Sequence, residues 1–121
     1  MTDNNSDLRE LAIKWLNRPS FEMKHDLILE GRSGEEYKMD MMIEPKIISK
    51  TDEDKLLVSI ADIKKSAGTD IIRKIELVRQ DLQLKTLLIS NKFSVQARSL
   101  AKRSDVLLIS RSELEACLKT L

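Results

Sequence analysis

The spacing of apolar residues changes along the chain, and each change marks a new element. In SDLRELAIKWLNRPS, Leu8, Leu11, Ala12, Trp15 and Leu16 recur at helical spacing. Ser6 or Asp7 is placed to cap this helix, and Pro19 to stop it. Phe21–Glu30, ending in DLILEG, reads as a strand, and the two glycines of GRSGEE supply a turn. Tyr37–Glu44 fits a second strand, closed before Pro45, which has no N–H for a ladder. KTDEDK is a charged turn. KLLVSIADIKK then reads as a third strand, apolar until Asp62, as expected where both faces are covered. Three such runs separated by polar turns predict an antiparallel meander.

After SAG the period lengthens from 2 to 3.6. Ile71, Ile75, Val78 and Leu82 line one side of TDIIRKIELVRQDLQL, with Thr69 as N-cap and Asp70 in the first turn. TLLIS is a short buried strand. SVQARSLAKRS is a helix capped by Ser94, with Ala97, Leu100 and Ala101 inward. VLLIS is a further buried strand, and Ser112 with Glu115 matches a capping box at the start of the last helix. Alternating strands and helices in this second half require parallel pairing and right-handed crossovers. The expectation is an α/β fold, a mixed sheet of antiparallel meander plus parallel β-α-β strands, flanked by helices.

At 121 residues the chain makes one domain, 1–121, with the polar residues 1–6 expected to be disordered. Charged residues at 34% and apolar ones at 41% mark a globular rather than a disordered chain, and 3% aromatics leave the core to aliphatic and methionine side chains. The net charge of +1 argues against a polycationic binder but not against a local basic face. Cys117, the single cysteine, excludes an intrachain disulfide and a thiolate zinc site. Set among Leu114, Leu118 and Leu121, it reads as a small core residue. The start MTDNNSDLRE carries no apolar leader core, and no apolar run is long enough to span a bilayer, so a cytoplasmic protein is expected.

An acid two residues before a lysine occurs at Glu22, Glu36, Glu44, Glu53 and Asp62, so the tripeptide alone means little in so charged a chain. Asp62-Ile63-Lys64 differs in context. It closes a buried strand, follows a strand carrying Asp40, and precedes a crossover helix. On a strand, Asp62 and Lys64 would share a face with the Ile63 carbonyl between them. With Asp40 opposite, two carboxylates and a carbonyl form a hard-oxygen site for Mg²⁺ or Mn²⁺. Lys64 would orient water or offset charge building on phosphorus, and phosphodiester hydrolysis is the reaction such parts suit. The plainer alternative is that Asp62 and Lys64 form an exposed strand end, and Asp40 a polar residue on a half-exposed strand.

Other features are plainer still. His25 reads as a surface or hydrogen-bonded histidine, and GRSG as a hairpin turn without the lysine and helix of a phosphate loop. Lys64, Lys65, Lys92, Arg98, Lys102 and Arg103 fall near the strand ends and the second crossover helix. Such a group either holds phosphates or forms a solvated face.

With Asp40, the DIK tripeptide and the following α-β-α in place, the chain resembles the PD-(D/E)xK nuclease superfamily. It looks most like the Mrr-type restriction endonuclease domain and the archaeal Holliday-junction resolvases, from about Leu8 to the end. Phe93, Ser94, Ala97, Ala101, Leu107, Ile109 and Leu114 are similar to the Mrr-type pattern of strand, Phe-Ser/Thr, Ala-x-x-x-Ala, strand and Leu-rich helix. The resemblance implies Asp40 as metal-binding acid, Asp62 as second acid and Lys64 as catalytic lysine. Glu10 matches a first-helix glutamate that could reach the metal through water. Met39 stands where relatives carry proline, Asp62 where they more often carry Glu or Gln, and EPKIISKTDEDK is a longer connection than usual.

The expected function is therefore a Mg²⁺- or Mn²⁺-dependent DNA endonuclease, Mrr-like or junction-resolving. It would be a homodimer, because one small active site cuts one strand. The alternatives are a catalytically degenerate nuclease-fold module that binds DNA or a protein, and a small regulatory α/β domain.

Overall fold

The computed structural model of the chain describes residues 7–46 and 55–120. The expected disorder at 1–6 and the charged turn, apart from Lys55, lie outside those residues. The elements run α1 (Leu8–Leu16), β1 (Phe21–Glu30), β2 (Glu36–Pro45), β3 (Leu56–Ala61), α2 (Thr69–Leu82), β4 (Lys85–Ser90), α3 (Val95–Arg103), β5 (Leu107–Ser110) and α4 (Arg111–Lys119). The order predicted from periodicity is the order observed.

The strands form one sheet in chain order, β1-β2-β3-β4-β5. β1–β2 and β2–β3 are antiparallel; β3–β4 and β4–β5 are parallel. Alternation along β4 decides the layers. Leu87 and Ile89 pack with Leu8, Leu11 and Ala12 of α1 and Leu114 of α4. Leu88 packs on the other side with Ile72 and Ile75 of α2 and Ala97 and Ala101 of α3. The sheet is thus covered by α1 and α4 on one face and by α2 and α3 on the other. Leu88 is fully buried, and Leu88→Ala would cost about 2–5 kcal/mol through lost transfer energy and the cavity left behind. Cys117 packs half-buried against the α1/α4 face, a core role as expected.

Three local expectations are corrected. The N-cap of α2 is Gly68, and Thr69 is already helical. Its buried centre is Ile72 with Ile75, while Ile71, Val78 and Leu82 are half-buried around it. In α4 the capping box is Ser110 with Glu113, not Ser112 with Glu115. β5 runs into α4 with no loop between them, so the cap is the last strand residue. Glu113 accepts from the Ser110 N–H at 2.9 Å, and that bond chiefly holds its carboxyl below the usual range. Third, β3 stops at Ala61, so Asp62, Ile63 and Lys64 lie beyond the strand.

The far end of the β1–β2 hairpin is fastened to α2 by Asp81. Its Oδ1 accepts from the Ser33 N–H at 2.9 Å, and its Oδ2 from the Ser33 and Tyr37 hydroxyls. These bonds, the Ser33 hydroxyl first, hold the Asp81 carboxyl below its ordinary value. A Cβ at Gly31 would stand 2.2 Å from Asp81 Oδ2, so this close approach requires glycine.

Candidate active site at the strand ends

The parallel strands end on one rung, Ala61 beside Ser90 beside Ser110. Ser90 is buried and its hydroxyl donates to the Ala61 carbonyl at 2.7 Å, which closes that rung. The next residue of each strand is Asp62, Asn91 and Arg111, and these three are joined in a row. Asn91 Nδ2 donates to Asp62 Oδ1 and to the Ile63 carbonyl, each at 2.8 Å. Arg111 Nε donates to Asn91 Oδ1 at 2.6 Å. In open α/β sheets the carboxyl ends of the strands are where ligands bind, because the helices leave a crevice there.

The expected shared face of Asp62 and Lys64 is not a strand face. The chain bends after Ala61, with Ile63 N–H donating back to the Ala61 carbonyl at 3.1 Å. Ala67 N–H then bonds the Lys92 carbonyl at 2.8 Å and Ser94 N–H the Ala67 carbonyl at 3.0 Å. The loops after β3 and β4 are thereby held side by side, with Lys64, Lys65 and Lys92 exposed on them.

Asp40 approaches the same strand end from β2. The β2–β3 ladder runs from Ile43↔Leu56 to Met41↔Val58. One residue further, Asp40 Oδ2 takes the Ile60 N–H at 2.7 Å. The alternation also slips here, since Met39 and Met42 pack on the same side of the sheet although they lie three positions apart. Opposite Asp40 on β1, Asp26 has a positive φ of 51°, a conformation uncommon outside glycine. Asp40 and Asp62 therefore flank the end of β3. Asp40 is fixed to Ile60 from the β2 side, and Asp62 is held toward the β4 side by Asn91.

From α1 the side chain that reaches Asp40 is Arg9, not Glu10. Arg9 Nη1 lies 3.7 Å from Asp40 Oδ1, and Nη2 lies 3.4 Å from Asp26 Oδ1 and 3.5 Å from the Asp40 carbonyl. Nη2 is also 3.4 Å from His25 Nδ1, a contact that requires the ring proton on Nε2 because a guanidinium only donates. Glu10 is exposed and makes no hydrogen bond or ion pair among the described residues. The next residue on a helix is turned by about 100°, which is why only one of the two faces Asp40.

The donor chemistry fits a hard divalent cation. Asp62 Oδ1 and the Ile63 carbonyl converge on one point, and Asp40 brings a second carboxylate to the same strand end. Among the described residues no group of three His, Cys, Asp or Glu side chains could hold a metal ion. A cation at the point shared by Asp62 Oδ1 and the Ile63 carbonyl would have one carboxylate, one carbonyl and water around it, a mix magnesium accepts.

Of the basic residues, Lys65, Lys92, Lys102 and Arg103 are exposed. Arg98 is committed, paired with Glu113 at 3.1 Å and stacked 5.5 Å from the centre of the Phe93 ring. Asn91 and Arg111 were not candidates from the sequence, although a signal exists. β4 and β5 both end in Leu-Leu-Ile-Ser, 87–90 and 107–110, so in-register parallel pairing makes the next residues neighbours.

No protein-family model and no curated protein matches the chain. Among solved structures it is similar to the crystal structure of a protein of unknown function, AF1548, with a TM-score of 0.73 and 18% identity over 93% of this chain and 65% of that one. It is also similar to the EndoMS–dsDNA complex, with a TM-score of 0.53 and 11% identity over 89% of this chain and 47% of that one. The chain thus spans less than two thirds of either neighbour. These likenesses, with the five-stranded mixed sheet and four helices, make the fold restriction-endonuclease-like. No helix among the described residues is long and apolar enough to cross a membrane.

Proposed function

We propose that the chain is a metal-dependent DNA endonuclease domain. The observation that carries the reading is the convergence of Asp62 Oδ1 and the Ile63 carbonyl on one point at the carboxyl end of parallel strands, with Asp40 fixed to Ile60 at the same end of β3. Asp40, Asp62 and the Ile63 carbonyl hold Mg²⁺ or Mn²⁺. When bound, the ion lowers the pKa of a coordinated water and offsets charge building on phosphorus. Lys64, exposed on the bend beyond β3, presents its ammonium to the phosphate or to the attacking water. Lys65, Lys92, Lys102 and Arg103 hold flanking phosphates, whereas Arg98 orders α3 against α4. The substrate is duplex or branched DNA, in keeping with the DNA in the EndoMS complex. A homodimer brings two such sites to two strands.

A non-catalytic nuclease-fold module that binds DNA is the second reading, and Arg9 favours it. Its guanidinium stands 3.7 Å from the Asp40 oxygen that a metal would need.

The deciding experiment is cleavage of duplex and four-way-junction DNA with Mg²⁺ or Mn²⁺, comparing wild type with Asp40→Asn and Lys64→Ala. Metal-dependent cleavage lost in both variants supports the endonuclease. Cleavage untouched by both removes this site, and binding without cleavage by wild type selects the module.

A further inference from the structure

Asn91 belongs to no catalytic pattern in the sequence, yet it holds the two oxygens on which the proposed chemistry depends. Its Nδ2 is 2.8 Å from both Asp62 Oδ1 and the Ile63 carbonyl. The space an amide nitrogen occupies between a carboxylate and a carbonyl oxygen overlaps the space a cation coordinating both would take. An amide nitrogen and a cation exclude one another there by volume.

Arg111 decides which end of the amide faces these oxygens. Its Nε donates to Asn91 Oδ1 at 2.6 Å. A guanidinium cannot accept a hydrogen bond, so turning the amide over would set N–H against N–H. Arg111 is itself fixed as the first residue of α4, directly after β5. The Asn91 bonds are not needed to join the two loops. Ser90 to Ala61 at 2.7 Å, Ala67 to Lys92 at 2.8 Å and Ser94 to Ala67 at 3.0 Å already do so.

We propose that Asn91, latched by Arg111, gates the divalent-cation position between Asp62 and Ile63: its amide nitrogen fills that position and swings out before a cation binds. The inference rests on the reading of Asp62 and the Ile63 carbonyl as cation ligands, and adds two residues that control access to them.

The test is binding of Mn²⁺ alone to the full chain, by titration of the free ion, with thermal unfolding in parallel. In Asn91→Asp the acceptor for Arg111 remains, and a carboxylate oxygen replaces the N–H donor. Mn²⁺ binding should then tighten by about tenfold, since affinity follows the charge count of the ligands. The variant should melt below wild type without the ion and recover with it. Adding Asp62→Asn should abolish both effects. Should Asn91→Asp fail to fold, Asn91→Ala opens the same position and should tighten Mn²⁺ binding by about fivefold, the scale of one modest hydrogen bond.

Affinity equal to or weaker than wild type in the folded Asn91 variants overturns the gate, as does tightening that survives Asp62→Asn. Those results leave the endonuclease standing if wild type still cleaves through Asp40 and Lys64. Conversely, tighter binding by variants of a chain that cleaves nothing keeps the gate and removes the nuclease.

Discussion

Two acids in this molecule each gather donors from a neighbouring element, and they do so differently. Asp81, at the C-terminal end of α2, has both oxygens taken by Ser33 and Tyr37 of the hairpin, and Gly31 is pressed against it. Asp62, beyond β3, gives only Oδ1 to Asn91, and no other bond to it forms among the described residues. A carboxylate with both oxygens taken by donors fastens structure together. One with an oxygen left over, at the carboxyl end of parallel strands, has capacity to bind something else. The contrast separates a latch from a site without appeal to residue type, since both are aspartates.

Substitution should split the two regions most sharply. Asp62→Asn is expected to lower metal-dependent DNA cleavage on the order of a hundredfold or more while leaving the unfolding midpoint close to wild type. Asp81→Ala should do the reverse, lowering the midpoint and sparing cleavage. Cleavage assays and thermal melts on the same two proteins check the crossing. If both variants lose stability and activity together, the distinction collapses.

The next effect is steric. Gly31→Ala drives a methyl group into the fastened Asp81 carboxylate, and denaturant unfolding should show a loss of about 1–3 kcal/mol, the scale of overpacking. Relief by Asp81→Ala in the double variant would place the clash where the geometry puts it. Smaller again is the α4 cap beside the site. Ser110→Ala should cost about 1 kcal/mol, whereas Ser112→Ala should cost little, because Ser110 is the residue that caps. Equal costs would reassign the cap.

The smallest effect is on pH. Asp81 is held below its ordinary value of 3.8, chiefly by the Ser33 hydroxyl and then Tyr37. A lowered folded pKa means the latch stabilises fully above the unfolded value and is lost as the pH falls through the folded one. The stability of wild type measured from pH 7 to 2 should therefore drop below about pH 4, and Asp81→Asn should flatten part of that limb.

Much of the fold is legible in the sequence. The changes from helical to alternating period marked every element, because both periods are written by local backbone geometry. Boundaries were less legible. Two Ser-x-x-Glu matches overlap at 110–115, and only the absence of a loop after β5 selects the first. The run KLLVSIADIKK looked like one strand, but its partner β4 ends at Ser90, opposite Ala61, and pairing stops with it.

The sequence by itself determined the order of elements, the two apolar faces of β4, and the placing of Asp40 and Asp62-Ile63-Lys64 near one strand end. Tertiary structure alone decided that Asp40 is anchored on Ile60, that Arg9 rather than Glu10 reaches it, and that Asn91 and Arg111 stand in a row with Asp62. Apolar periodicity is a property of neighbours along the chain. A hydrogen bond between residues 20 or 29 positions apart depends on where two ladders start and stop, and that is set only when the sheet is assembled.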